Sequence, residues 1–212
     1  LATKYDRGEG VIKDDAEALK WYRKSAEQGN APAQYNLGAM YDEGEGVIKD
    51  AAEAAKWYRR AADQGHAKAQ SNLGFLYANG RGVTKDFSEG IKWYRRAANQ
   101  GNATAQYNLG FMYANGRGVI KDYAEAVKLY RSAIAQGDVK AQQNLGFMYA
   151  NGKGVTKDYI LAHMWFNISA SKGNNIAAKN RDVVEKSMTS TDISEATKKA
   201  KLCLKSNYKE CD

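Results

Sequence analysis

A chain that repeats itself at a fixed interval has few architectures open to it. Laid on itself at an offset of 36 residues, this sequence aligns Trp21, Trp57, Trp93, Leu129 and Trp165 in one column. Gly29, Gly65, Gly101, Gly137 and Gly173 fall in another. A unit of that length cannot bury an apolar face alone, so neighbouring units must stack and share a continuous core. The sequence is therefore an array.

Each unit reads as two helices. The first, helix A, is Ala-Gln-x-Asn-Leu-Gly-x-x-Tyr at 33–41, 69–77, 105–113 and 141–149. Its Ala33, Leu37 and Tyr41 lie four apart and share one face. It runs into Gly44-Glu45-Gly46-Val47 and its counterparts, where two glycines reverse the chain and the valine plugs the corner. The second, helix B, opens on an aspartate followed three residues later by a glutamate: Asp14/Glu17, Asp50/Glu53, Asp86/Glu89 and Asp122/Glu125. That spacing is a capping pair, which accounts for the carboxylate row better than catalysis does. Helix B continues through Ala-x-x-Trp-Tyr-Arg to Gln28-Gly29 and its equivalents, with glycine past the last turn. The one proline, Pro32, falls where a first helical turn tolerates it. The turn has no third glycine, no Gly-Lys-Ser/Thr and no preceding strand, so it does not read as a nucleotide loop.

Paired helices joined by Gly-x-Gly-Val and ending in Trp-Tyr-Arg-x-Ala-Ala-x-Gln-Gly resemble the Sel-one-like repeats, relatives of tetratricopeptide repeats. The resemblance covers residues 1–173, about five units with the first truncated, and implies an all-α, right-handed superhelical solenoid lined on its concave wall by A helices. Leu1 to Tyr5 match only the end of an A helix, so a missing upstream segment or an exposed apolar N-terminal end is expected. Residues 174–212 break the pattern. Ile176 to Val184 begin like an A helix without the turn, and Thr191-Asp192-Ile193-Ser194-Glu195 start another helix, which together predict a C-terminal helical cap. The family's members serve as adaptors and assembly platforms, as secreted or envelope proteins, and as immunity proteins against secreted toxins. Some relatives are credited with hydrolysis of β-lactams or cell-wall material.

Composition narrows the chemistry. With 43% apolar and 11% aromatic residues among 212, the chain folds rather than remaining disordered. No apolar run approaches the ~18 residues that cross a bilayer, so no membrane span is expected. The sequence begins without Met or a leader, which reads as a processing site or a boundary. Two histidines and two cysteines leave little for a metal site. His66 and His163 have no repeat relation and no nucleophile arranged beside them, so catalytic residues, metal ligands and cofactors are all expected to be absent. Cys203 and Cys211 would stand ~12 Å apart on a continuous helix. If the helix ends near Ser206-Asn207 and the tail folds back, they come within reach of a disulfide. Such a bond implies a periplasmic or secreted bacterial protein; two reduced thiols in the cytoplasm are the alternative.

In a stacked array, invariant columns hold the stack and varying outward columns are free to recognise. Position 35 varies as Tyr35, Ser71, Tyr107 and Gln143. Four residues later the column reads Ala39, Phe75, Phe111 and Phe147. With Asn36, Asn72, Asn108 and Asn144, these residues are expected to line the groove and to bind an extended peptide or a helix of another protein. Alternatively the phenylalanines pack on each other and the asparagines bond neighbouring backbones. The tryptophans are core residues of helix B.

Between the turn glycines stand Glu9, Glu45, Arg81, Arg117 and Lys153, so one edge turns from acidic to basic along the chain. That polarity would orient a partner or let copies associate. The net charge of +8 is spread over every B helix, and Lys198, Lys199, Lys201 and Lys205 have no interleaved aromatics, so nucleic acid is not expected. The reading that results is a non-enzymatic scaffold or adaptor that binds a protein partner through A-helix side chains. A toxin and an envelope component are both candidates for that partner.

Overall fold

The computed structural model describes residues 1–209 and 211, and among these it is entirely helical. Twelve helices follow one another: α1 (Ala2–Arg7), α2 (Asp15–Glu27), α3 (Ala31–Glu43), α4 (Ala51–Asp63), α5 (Ala67–Asn79), α6 (Phe87–Asn99), α7 (Ala103–Asn115), α8 (Tyr123–Ile134), α9 (Val139–Asn151), α10 (Tyr159–Ser171), α11 (Asn175–Glu185) and α12 (Ser190–Lys205). Odd-numbered helices through α9 are A helices, and even-numbered ones through α10 are B helices. The chain divides into two compact units, Leu1–Asn102 and Ala103–Asp212. In the first, α1 to α6 pack each on the next. In the second, α7 to α10 do the same, and α11 and α12 both pack on α10.

Both ends of the B helices are set locally. Asp14, Asp50, Asp86, Asp122 and Asp158 are N-caps in extended conformation, each accepting from backbone N–H groups of the first turn. The backbone N–H groups of Glu17, Glu53, Glu89 and Glu125 each donate to the paired aspartate, and two of the glutamate side chains then do something other than a reciprocal cap. Glu17 accepts the Trp21 indole N–H at 2.8 Å and Glu89 that of Trp93 at 3.2 Å. One turn separates each pair, so the glutamate reaches forward to the ring rather than back to the cap. A helices begin on a column that sequence reasoning missed: Asn30, His66, Asp138 and Asn174 each accept from the backbone two or three residues on. Pro32 sits in the first turn of α3 as expected. The cap of α12 is Thr189 with Asp192, a reciprocal box two residues upstream of the expected start at Thr191.

Two glycines show why the repeat holds its form. Gly82 has φ +69°, and a Cβ there would lie 2.2 Å from the backbone of Ala51 at the start of the preceding B helix. The turn therefore needs glycine both for its conformation and for close approach. Gly74, inside α5, faces the Tyr94 ring at a distance that would leave an added Cβ 2.8 Å from Cδ1. This lets the two helices of one hairpin approach face to face.

The core is alanine-rich along these seams, with Leu37 and Leu73 in one unit and Leu109 and Leu145 in the other buried on the A helices. Trp57, Trp93 and Trp165 are buried as expected. Trp21 is only half-buried, because the A helix before it, α1, has six residues.

A partly buried glutamine relay ties neighbouring repeats of the first unit together. Gln64 donates to Gln34 Oε1 at 2.7 Å, and Gln34 donates to the Ala26 carbonyl at 3.0 Å. Gln100, Gln70 and Ala62 repeat the arrangement with 2.7 and 3.0 Å bonds. These bonds give the last-turn carbonyl of one B helix, which already accepts from the Gly29 or Gly65 N–H, a second donor from the A helix that follows it.

Candidate functional site

The expected groove residues divide according to what the B helix beneath them does. Tyr35 and Tyr107 are half-buried, with rings 5.9 Å from Tyr58 and 6.1 Å from Tyr130. Tyr35 also stacks on His66 at 4.8 Å. Ser71, in the same column, is buried rather than open. The position lies on the A–B seam: a tyrosine is long enough to emerge from it, and a serine stays inside.

The asparagines are half-buried and engaged in part. Asn144 donates to the Tyr130 hydroxyl at 3.1 Å, and Asn36 and Asn72 bond the hydroxyls of Tyr22 and Tyr58. Each tyrosine reaches from its B helix to the next A helix, so this column first of all joins neighbouring helices. Burial is the main reason these phenols resist ionisation. The Tyr22 hydroxyl, also facing the Asp6 carboxylate at 3.1 Å, is pushed up to about 12. Burial moves Tyr58, Tyr94 and Tyr130 up further.

The phenylalanine column stays largely open. Phe75 and Phe147 are 42% and 43% exposed, and Phe111 is half-buried. The turn cations cover ring faces here: Arg117 lies 5.1 Å above Phe111, and Lys153 5.0 Å above Phe147 and 5.5 Å from Tyr123.

In the second unit these residues converge. Phe111 from α7, Gln143, Asn144 and Phe147 from α9, Tyr123 and Tyr130 from α8, and Lys121 and Lys153 from the turns surround one cavity of about 390 Å³. Four of the residues expected to line the groove, Phe111, Gln143, Asn144 and Phe147, meet there. Lys153, already marked by the charged edge, and Lys121 and Tyr123, which sequence reasoning did not select, complete it. The signal for Lys121 was present in the recurrence of lysine one residue before each helix-B cap, but a column that does not vary reads as structural. Gln143 accepts from Asn174 at 2.8 Å. In the first unit, Tyr35 and Asn36 line a separate depression with Pro32, His66 and Lys68.

The histidines have other work. His66 caps α5, its Nδ1 accepting from Ala69 at 3.2 Å. Burial, and secondarily Lys68, holds its pKa below the ordinary histidine value. His163 is 2% exposed in α10, its Nε2 2.8 Å from Glu185 Oε1 on α11, and Arg181 Nε lies 3.6 Å from the same carboxylate. Among the described residues no cluster of His, Cys, Asp and Glu is suited to a metal ion. No helix among them is long and apolar enough to cross a membrane.

At the C-terminus α12 ends at Lys205 and the chain reverses through Asn207 and Tyr208, both with positive φ. Cys203, fully buried, is joined to Cys211 with their Cα atoms 4.5 Å apart. The Tyr208 N–H donates to the Cys203 carbonyl at 2.9 Å, and Lys172 donates to the Tyr208 hydroxyl.

The geometry defines an all-α solenoid of 36-residue helix–turn–helix repeats, and comparison with known proteins gives its class. The Sel1 repeat matches residues 1–30, 31–66, 67–102, 103–138 and 139–174, so the chain belongs to the Sel1 repeat family. A Sel1 repeat protein from Oxalobacter formigenes is 44% identical over 84% of this chain and 73% of its own, with a TM-score of 0.77. A protective antigen, c5321, present in uropathogenic Escherichia coli strains, is 28% identical over 100% of this chain and 60% of its own, with a TM-score of 0.54. No curated protein matches the chain. Sel1 repeat proteins mediate protein–protein interaction and are typically non-enzymatic scaffolds.

Proposed function

We propose that this protein is a non-catalytic scaffold whose second unit binds a protein partner in the cavity between α7, α8 and α9. One observation carries the reading: Phe111, Gln143, Asn144 and Phe147 share a single concave site with aromatic walls. Exposed rings beside amides bury apolar area while offering hydrogen bonds, the combination found at the centre of protein interfaces. The Cys203–Cys211 bond supports an oxidising compartment, in keeping with a periplasmic or secreted protein. We further propose the division of the chain into a repeat array over 1–173 and a helical cap over 174–212.

Capture from the source cell's extract tests the binding role. Wild-type protein is compared with a Phe111→Ala/Phe147→Ala variant whose helicity and melting temperature are unchanged. A protein retained by the wild type and lost by the variant supports the reading. Equal capture by both would move the interaction to another surface.

A further inference from the structure

The array contains an internal control for what its cavity accepts. Subtracting two repeats from the cavity residues places Ala39 at the position of Phe111, Ala51 at that of Tyr123, Asp42 at that of Ala114 and Arg81 at that of Lys153. In the first unit the Arg81 guanidinium holds the Asp42 carboxylate at 2.7 Å and donates to the Asp42 carbonyl at 3.1 Å. The turn cation of one repeat thus receives a carboxylate from the end of the preceding A helix. In the second unit the cation remains and the carboxylate is gone. Ala114 and Asn115 stand where Asp42 and Glu43 stood. Lys153 instead rests over the faces of Phe147 and Tyr123, with Lys121 5.8 Å from Tyr123. No described carboxylate lines the cavity, and both of its charged side chains are cationic.

We propose that this cavity receives an aspartate or glutamate side chain from an acidic, extended segment of the protein partner. The carboxylate would take the place beside Lys153 that Asp42 holds beside Arg81. An apolar neighbour in the same segment would rest on Phe111 and Phe147. The inference rests on the scaffold reading above and specifies the chemistry of its site. Two lysines held on ring faces keep their charge close to an apolar wall, where water screens them less than on an open surface. An incoming carboxylate then forms a charge-assisted bond without displacing one already present.

The substitution that tests it restores the missing group in place. Ala114→Asp supplies the carboxylate from within the chain, at a position where α3 already carries one in the same helix motif. Ala114→Asn matches it in size without charge. The probe is an acetylated, amidated peptide alternating glutamate with phenylalanine, compared by calorimetry with its glutamine counterpart and with free N-acetylglutamate. The expected result is binding of the glutamate peptide that weakens about tenfold or more with glutamine, with added salt, or in Ala114→Asp, while Ala114→Asn retains it. Equal binding of both peptides overturns the inference, as does loss in both Ala114 variants or no binding of the glutamate peptide. N-acetylglutamate binding as tightly as the peptide would replace the peptide by a small carboxylate. If the inference fails in any of these ways while Phe111→Ala/Phe147→Ala still abolishes partner capture, the scaffold reading stands alone. Loss of both means the cavity is not the site.

Discussion

A helix can begin on a histidine only while the imidazole is neutral, because the ring nitrogen must accept rather than donate. His66 makes α5 depend on that condition. Burial, then Lys68, lowers its folded pKa below the unfolded value of 6.5. Between the two values the unfolded chain binds the extra proton. The cap's contribution is therefore complete above about pH 6.5 and is lost as pH falls through the lower folded value. The equivalent positions Asn30 and Asn174 cap without titrating. His66→Asn should match the wild type in urea midpoint at pH 7.5 and exceed it at pH 5 by about 1 kcal/mol. A wild type and variant that lose stability in parallel across that range would show that the cap does not titrate. The residue type did not mark His66 as a cap, since histidine is not a preferred one. The column around it did, through Asn30, Asp138 and Asn174.

At the scale of helices, the glutamine relay distinguishes repeats that look alike in sequence. Gln70 both donates to the Ala62 carbonyl and accepts from Gln100, so replacing it by leucine removes two hydrogen bonds, while the Ala62 carbonyl keeps the one it accepts from the Gly65 N–H. Gln142 occupies the same column, is 0% exposed, and neither its Oε1 nor its Nε2 has a partner among the described residues. Its relay partner's position carries Lys172, which turns to Tyr208, and the preceding helix, α8, stops one residue early at Ile134. Gln70→Leu should cost about 1–3 kcal/mol of unfolding free energy, whereas Gln142→Leu should be neutral or stabilising. Equal losses in chemical denaturation would mean that the column acts through packing rather than hydrogen bonding. The helices themselves were legible because five copies display the same caps, turns and apolar spacing, and accidents in one copy do not recur in the next. The site was legible in part. Phe111 and Phe147 stand in a column that varies among invariant neighbours and reach the surface, but Ser71 fell inside the seam, and the asparagines turned to tyrosine hydroxyls on the helix beneath. Whether a side chain emerges depends on its length and on the neighbour it meets, and neither can be read from the column alone.

For the molecule as a whole, a repeat array transmits stability mainly between neighbours, so a change at one end need not weaken the other. The Cys203–Cys211 bond provides a test. It closes a short loop at the end of α12 and holds the reversed backbone of Asn207 and Tyr208, with Tyr208 reaching Lys172 just past α10. In the chain-entropy description a loop of this size contributes about 2.5 kcal/mol. Because Cys203 is buried among α10 and α12 residues, reduction should release the tail and loosen α11 and α12 first. Hydrogen exchange on reduced protein, or on a Cys203→Ala/Cys211→Ala variant, should show faster exchange in those two helices. Protection in α2 to α5 should be unchanged. Faster exchange spread evenly over the chain would instead show that the repeats unfold as one cooperative body, and the cap would then set the stability of the entire array.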